Sequence, residues 1–89
     1  MEVAIRYNGP GSAAHALAGY LREEGLEVTY EPPPEFRSFP EPAQLVIMYV
    51  SLKAVDAAAE VAQDALKAAI RRAIDRFRQR GGPGEVEGD

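Results

Sequence analysis

Five of the seven prolines fall within residues 32–42, at Pro32, Pro33, Pro34, Pro40 and Pro42. Proline fixes φ and lacks the N–H that helices and strand ladders need, so regular structure cannot cross this stretch. The Pro32-Pro33-Pro34 run favours polyproline II locally. Folded elements must therefore lie on either side. On the N-terminal side, Val3, Ile5 and Tyr7 alternate with Ala4 and Arg6, which predicts a strand over residues 2–7. Asn8-Gly9-Pro10-Gly11 is expected to stop it. Ser12 is the expected N-cap of a helix over residues 13–24. Ala14, Leu17, Ala18 and Leu21 share its buried side, with His15, Gly19 and Arg22 opposite, and Gly25 ends it. Residues 26–31 alternate again, Leu26, Val28 and Tyr30 inward and Glu27, Thr29 and Glu31 outward. The outward acids suggest an edge strand.

Beyond the prolines, residues 43–52 hold the unbroken apolar run Leu45 to Val50. A strand apolar on both sides is expected to be central and buried on both faces. A second, long helix is predicted over residues 55–80. Val55, Ala59, Ala62, Leu66, Ala69, Ala73 and Phe77 form its apolar stripe, with Ile70 beside it and Glu60, Asp64, Lys67, Arg71 and Arg78 opposite. Asp75 has the spacing to pair with Arg71 and Arg78. Arg76 and Arg80 drift onto the stripe, so the helix is expected to outrun its own core after Phe77. Gly81-Gly82-Pro83-Gly84 ends the helix. Residues 81–89 read as a flexible acidic tail behind a single domain of residues 1–80.

In the order β-α-β-β-α, these elements predict a small two-layer α/β (α+β) sandwich with a three-stranded sheet and two helices. A right-handed crossover would join the first two strands. A sheet this small leaves one face weakly covered. With 89 residues the chain has room for one domain only. Its 46% hydrophobic and 27% charged residues exclude disorder throughout.

Composition also removes several chemistries. Without cysteine there is no disulfide, thiolate zinc site or cysteine nucleophile. A single histidine excludes a two-histidine metal site, and neither metal nor cofactor is expected. Tryptophan is absent and only seven residues are Phe or Tyr, which speaks against a base-stacking platform. The net charge of −4 opposes nonspecific polyanion binding by the chain as a whole. The longest apolar run is far short of the ~20 residues that span a bilayer. The first residues lack the basic start and apolar core of a signal peptide. A cytoplasmic protein without membrane contact is expected.

Four stretches are candidates for function. Asn8 to Ser12 has the position of an anion site, but it lacks both G-x-G-x-x-G and a Gly-Lys-Ser/Thr ending, so a plain turn is expected. Ser12 and His15 have no acid in place to orient the imidazole, so His15 is not expected to be catalytic. The end of the long helix carries Lys67, Arg71, Arg72, Arg76, Arg78 and Arg80 against Asp75, a charge of +5 over residues 67–80. Residues 1–66 total −6, from four bases and ten acids, and the tail adds −3. The arginines could grip phosphates or an acidic sheet of another copy, head to tail, but cations at a helix C-terminus also complement its dipole, and these ring the helix. Phe36 and Phe39, in the proline-rich loop, have two readings: anchors in a partner, or plugs folded back on their own core.

Several segments together resemble small uncharacterised proteins of actinobacteria and their phages. They are Ile5-Arg6-Tyr7-Asn8-Gly9, Leu21-Arg22-Glu23-Glu24-Gly25-Leu26-Glu27-Val28, Tyr30-Glu31-Pro32-Pro33, Leu45 to Val50, and Phe77-Arg78-Gln79-Arg80. The resemblance spans residues 3–80. Its motifs are structural punctuation, and it brings no assigned activity or functional residues. It implies a short accessory protein that binds a host protein.

The expectation is a non-enzymatic protein-interaction module that forms a homodimer or higher oligomer. The contact residues would be Leu66, Ile70, Ile74 and Phe77 of the long helix, with Phe36 and Phe39 from the loop. The alternative is nucleic-acid binding by Arg71, Arg72, Arg76, Arg78 and Arg80. On the first reading, Ile70→Glu with Ile74→Glu breaks the assembly and leaves the monomer folded, as chromatography and circular dichroism would show.

Overall fold

The computed structural model describes residues 2–31, 43–52 and 59–88. Phe36, Phe39 and the predicted start of the second helix at Val55 lie outside them. The elements are β1 (Glu2–Pro10), α1 (Gly11–Glu23), β2 (Leu26–Tyr30), β3 (Ala43–Leu52), α2 (Ala59–Gln79) and β4 (Glu85–Gly88). The strands form one antiparallel sheet in the order β2-β3-β1-β4. β3 lies between β1 and β2, which therefore run parallel without touching. β1 separates β3 from β4 in the same way. Two interleaved β-α-β units of this kind make the ferredoxin-like arrangement. The α+β class with two helices is as the sequence predicts, and the sheet has a fourth strand beyond the three expected.

That strand corrects the reading of residues 81–89 as a flexible tail. Glu85–Gly88 pairs with Ile5–Asn8 along the free edge of β1. β1 is also longer than its alternation suggests. It stays paired with β3 out to Pro10 opposite Ala43, so Asn8 and Gly9 are strand residues. α1 starts at once from this strand end. Pro10 occupies the N-cap, with φ −58° and ψ 134°, where the sequence suggested Ser12.

The core lies on one face of the sheet. Ile5 and Tyr7 of β1, Leu26 of β2, and Met48 and Val50 of β3 meet Leu17 and Leu21 of α1 and Leu66 of α2, all fully buried. Ile70, Ala73 and Phe77 continue the α2 contribution, with Phe77 only 2% exposed. Leu66 and Phe77 are thus spent within the monomer, which corrects their expected role as contact residues, while Ile70, 3% exposed, keeps only an edge at the surface. The helix does not outrun its core, because Phe77 is buried two residues before α2 ends.

What closes that end is a latch around Tyr7. Its ring meets the Phe77 ring edge-on, with centroids 5.9 Å apart. Its hydroxyl donates to the Pro83 carbonyl oxygen at 2.7 Å. The chain reaches Pro83 through a glycine stop: the Gly82 N–H donates to the Phe77 carbonyl at 2.9 Å and the Gly81 N–H to the Arg78 carbonyl at 3.0 Å. Gly81 has φ +76°, which makes this a Schellman motif. Gly84 then has φ +89°, and a Cβ there would lie 2.5 Å from the Asn8 carbonyl oxygen. Only glycine lets β4 approach β1 so closely at this point.

Tyr7→Phe is expected to cost about 1 kcal/mol, the worth of one part-buried hydrogen bond. Gly84→Ala is expected to cost more, since it adds backbone strain and a collision. Urea unfolding checks both. A Tyr7→Phe midpoint equal to the wild type would show that the hydroxyl anchors nothing.

Candidate functional site

Both helices pack on the core face, so alternate residues of every strand point away from them. On β3 these are Leu45, Ile47 and Tyr49, exposed to 63%, 40% and 46%. This corrects the expectation that β3 is buried on both sides: the run is apolar on both faces, but only Val46, Met48 and Val50 are covered. Residues two apart on a strand are separated by ~6.6 Å, so the three side chains form a stripe roughly 13 Å long. Contiguous exposed apolar side chains of this kind make the stripe a candidate contact surface.

The register places the neighbours of the stripe. On the β1 side, Ala4 lies opposite Tyr49, Arg6 opposite Ile47 and Asn8 opposite Leu45. On the β2 side, Thr29 lies opposite Tyr49 and Glu27 opposite Ser51. Beyond β1, Glu87 lies opposite Arg6 and Glu85 opposite Asn8. With Glu2 opposite Ser51, four acids and one cation border the stripe. Four-stranded sheets of this topology that bind RNA present aromatic side chains on both central strands. Here β1 offers Ala4, Arg6 and Asn8, β3 offers Tyr49 alone, and the acidic border repels phosphate.

A second surface lies across the sandwich, where α2 overhangs the β4 edge. A groove of about 230 Å³ is lined by Ile70, Ile74 and Val86 with Lys67, Arg71, Asp75 and Arg78 around them. The sequence suggested that Asp75 pairs with Arg71 and Arg78. Neither pair forms, and Lys67, Arg71, Arg78 and Arg80 have no ion-pair partner among the described residues.

Arg72 and Arg76 point the other way, to the end of α1. Arg72 Nε lies 3.1 Å from Glu24 Oε2, while Arg76 lies 3.5 Å from Glu23 and 3.6 Å from Glu24. The Glu24 side chain is only 11% exposed and takes both arginines. Two of the five arginines read as phosphate ligands therefore join the helices to each other instead.

The other candidates sit as follows. Asn8–Ser12 is no loop, because β1 runs into α1 without one, and Gly9 and Gly11 are buried. His15 has a partner that the sequence did not reveal: its Nδ1 is hydrogen-bonded to the Tyr30 hydroxyl of β2. The Arg22 guanidinium lies 6.0 Å from the centre of the Tyr30 ring and donates to the Val28 carbonyl at 3.3 Å. This exposed cluster ties α1 to the β2 edge. Among the described residues there is no cluster of metal-ligating side chains, and no buried side-chain polar atom lacks a hydrogen bond. No helix among them is long and apolar enough to cross a membrane.

Comparison with known proteins finds no matching family model, no matching curated protein and no matching solved structure.

Glu24→Gln is expected to lower stability by about 1 kcal/mol, and Glu23→Gln, whose carboxylate is mostly exposed, by well under that. Thermal unfolding at low salt measures the difference. Equal effects would mean that burial of Glu24 does not strengthen the clamp.

Proposed function

We propose that this protein is a non-catalytic protein-interaction module that self-associates through the uncovered face of its sheet. The observation that carries this reading is the exposed Leu45-Ile47-Tyr49 stripe on a central strand. The extent of the face supports a second copy as its occupant. Strands of nine, five, ten and four residues, at ~4.8 Å spacing and ~3.3 Å rise, give a flat footprint of roughly 450 Å². Side-chain relief raises this, so two copies bury on the order of 1,000 Å² or more, the threshold of a specific interface. An assembly of micromolar strength is expected, since that area sits at the low end of the range.

The resemblance to small actinobacterial and phage proteins, which implies an accessory binding role, is consistent with such a module. Nucleic acid draws less support. Arg72 and Arg76 are engaged with Glu23 and Glu24, and the sheet face that binds RNA in related topologies is edged with acids here.

Ile47→Glu places a charge at the middle of the stripe. It is expected to reduce the weight-average mass to that of the monomer in analytical ultracentrifugation, with the melting temperature little changed. A wild-type protein that stays monomeric at millimolar concentration would sink the proposal.

A further inference from the structure

The uncovered face and the α2–β4 groove have opposite characters. The face presents protruding apolar side chains inside a border of Glu2, Glu27, Glu85 and Glu87, with Arg6 the single cation among the described residues. The groove presents a concave apolar floor of Ile70, Ile74 and Val86 inside Lys67, Arg71 and Arg78, with Asp75 the single acid. They share no residue. β4 serves both, sending Val86 toward the helices while Glu85 and Glu87 stand on the bare face, as their pairing with Tyr7, Asn8 and Arg6 requires. At about 230 Å³ the groove is smaller than the ~300–1,000 Å³ typical of small-molecule sites, and it suits one large side chain. Leu45 and Tyr49, at 63% and 46% exposure, are side chains of that kind.

We propose that copies of this chain associate head to tail, the acid-bordered sheet face of one seated on the cation-bordered α2–β4 groove of the next. The inference rests on the sheet face being the contact surface, and it adds the identity of what that face meets. A twofold face-to-face dimer would bring acidic borders together. The heterologous contact sets them against three cations that have no ion-pair partner among the described residues. Such a contact leaves a free face at one end and a free groove at the other, so it propagates into open chains unless a ring closes.

Two variants test the arrangement. Ile47→Glu disables the face, and Arg71→Glu with Arg78→Glu disables the groove. Each is expected to be monomeric alone. An equimolar mixture is expected to form a heterodimer that grows no further, because one variant keeps a working groove and the other a working face. Raising NaCl from about 0.02 M to about 0.3 M should weaken this heterodimer, as opposite charges are screened. The charge-reversed groove should weaken self-association by roughly tenfold or more. If the groove variant associates like the wild type and the mixture yields no heterodimer, the contact is face to face. The head-to-tail inference then falls while the sheet face stands. If the Ile47→Glu variant associates like the wild type, both fall. Leu45→Glu, at a more exposed position, replaces Ile47→Glu if that chain misfolds.

Discussion

The handedness of two crossovers governs the rest of this molecule. β1 and β2 run parallel around β3, and β3 and β4 run parallel around β1. Each pair is joined through a helix, and such connections are right-handed. One crossover moves across the sheet in one direction along strands pointing one way. The other moves back along strands pointing the opposite way. Two reversals cancel, so both helices land on the same face. The single-sided core follows, with Tyr7, Met48 and Leu66 in one buried layer. The bare side follows too: among the described residues no element lies over Leu45, Ile47 and Tyr49.

The same geometry sorts the charges of α2. A helix lying over one side of a sheet has one flank toward its neighbouring helix and one toward the sheet edge. Arg72 and Arg76 fall on the flank facing α1, where Glu23 and Glu24 receive them. Lys67, Arg71 and Arg78 fall on the flank facing β4, whose two acids point through to the opposite surface. A run that reads in sequence as one basic block is therefore divided: Arg72 and Arg76 are paired with acids of α1, Lys67, Arg71 and Arg78 have no ion-pair partner among the described residues, and Arg80 stands apart near Tyr20.

Local patterning made much of this fold legible. The alternation of Glu2 to Tyr7, the helical spacing of Ala14, Leu17, Ala18 and Leu21, and the Gly25 stop correspond to real elements, and β3 spans the residues predicted for it. Long-range pairing was not legible. Glu85-Val86-Glu87-Gly88 has one apolar residue and follows a glycine-rich turn, so nothing local marks it as a strand. Its reason to exist is the free edge of β1, far away in sequence, where Ile5 lies opposite Gly88 and Asn8 opposite Glu85. The exposed apolar face was obscured for a different reason. A run apolar at every position hides its own alternation, so the exposed half of Leu45 to Val50 looks like the buried half. With that signal lost, the long helix seemed to offer the spare apolar surface. Its Leu66 and Phe77 are instead what the sheet needs to close its core, and of the helix residues named Ile70 and Ile74 are the two that reach the α2–β4 groove.

The separation of Tyr7 from Pro83 bears on how the chain comes to be folded in a cell. The two are 76 residues apart, and the bond between them closes the last strand onto the first. Synthesis delivers the N-terminal portion first. β1 would therefore emerge early and wait for its outer neighbour until almost everything else has been made. During that wait its outer edge lacks the strand that covers it in the folded domain. Pairing of β4 with β1 is therefore the most non-local contact of the sheet, and contacts of such separation are the slow ones to form.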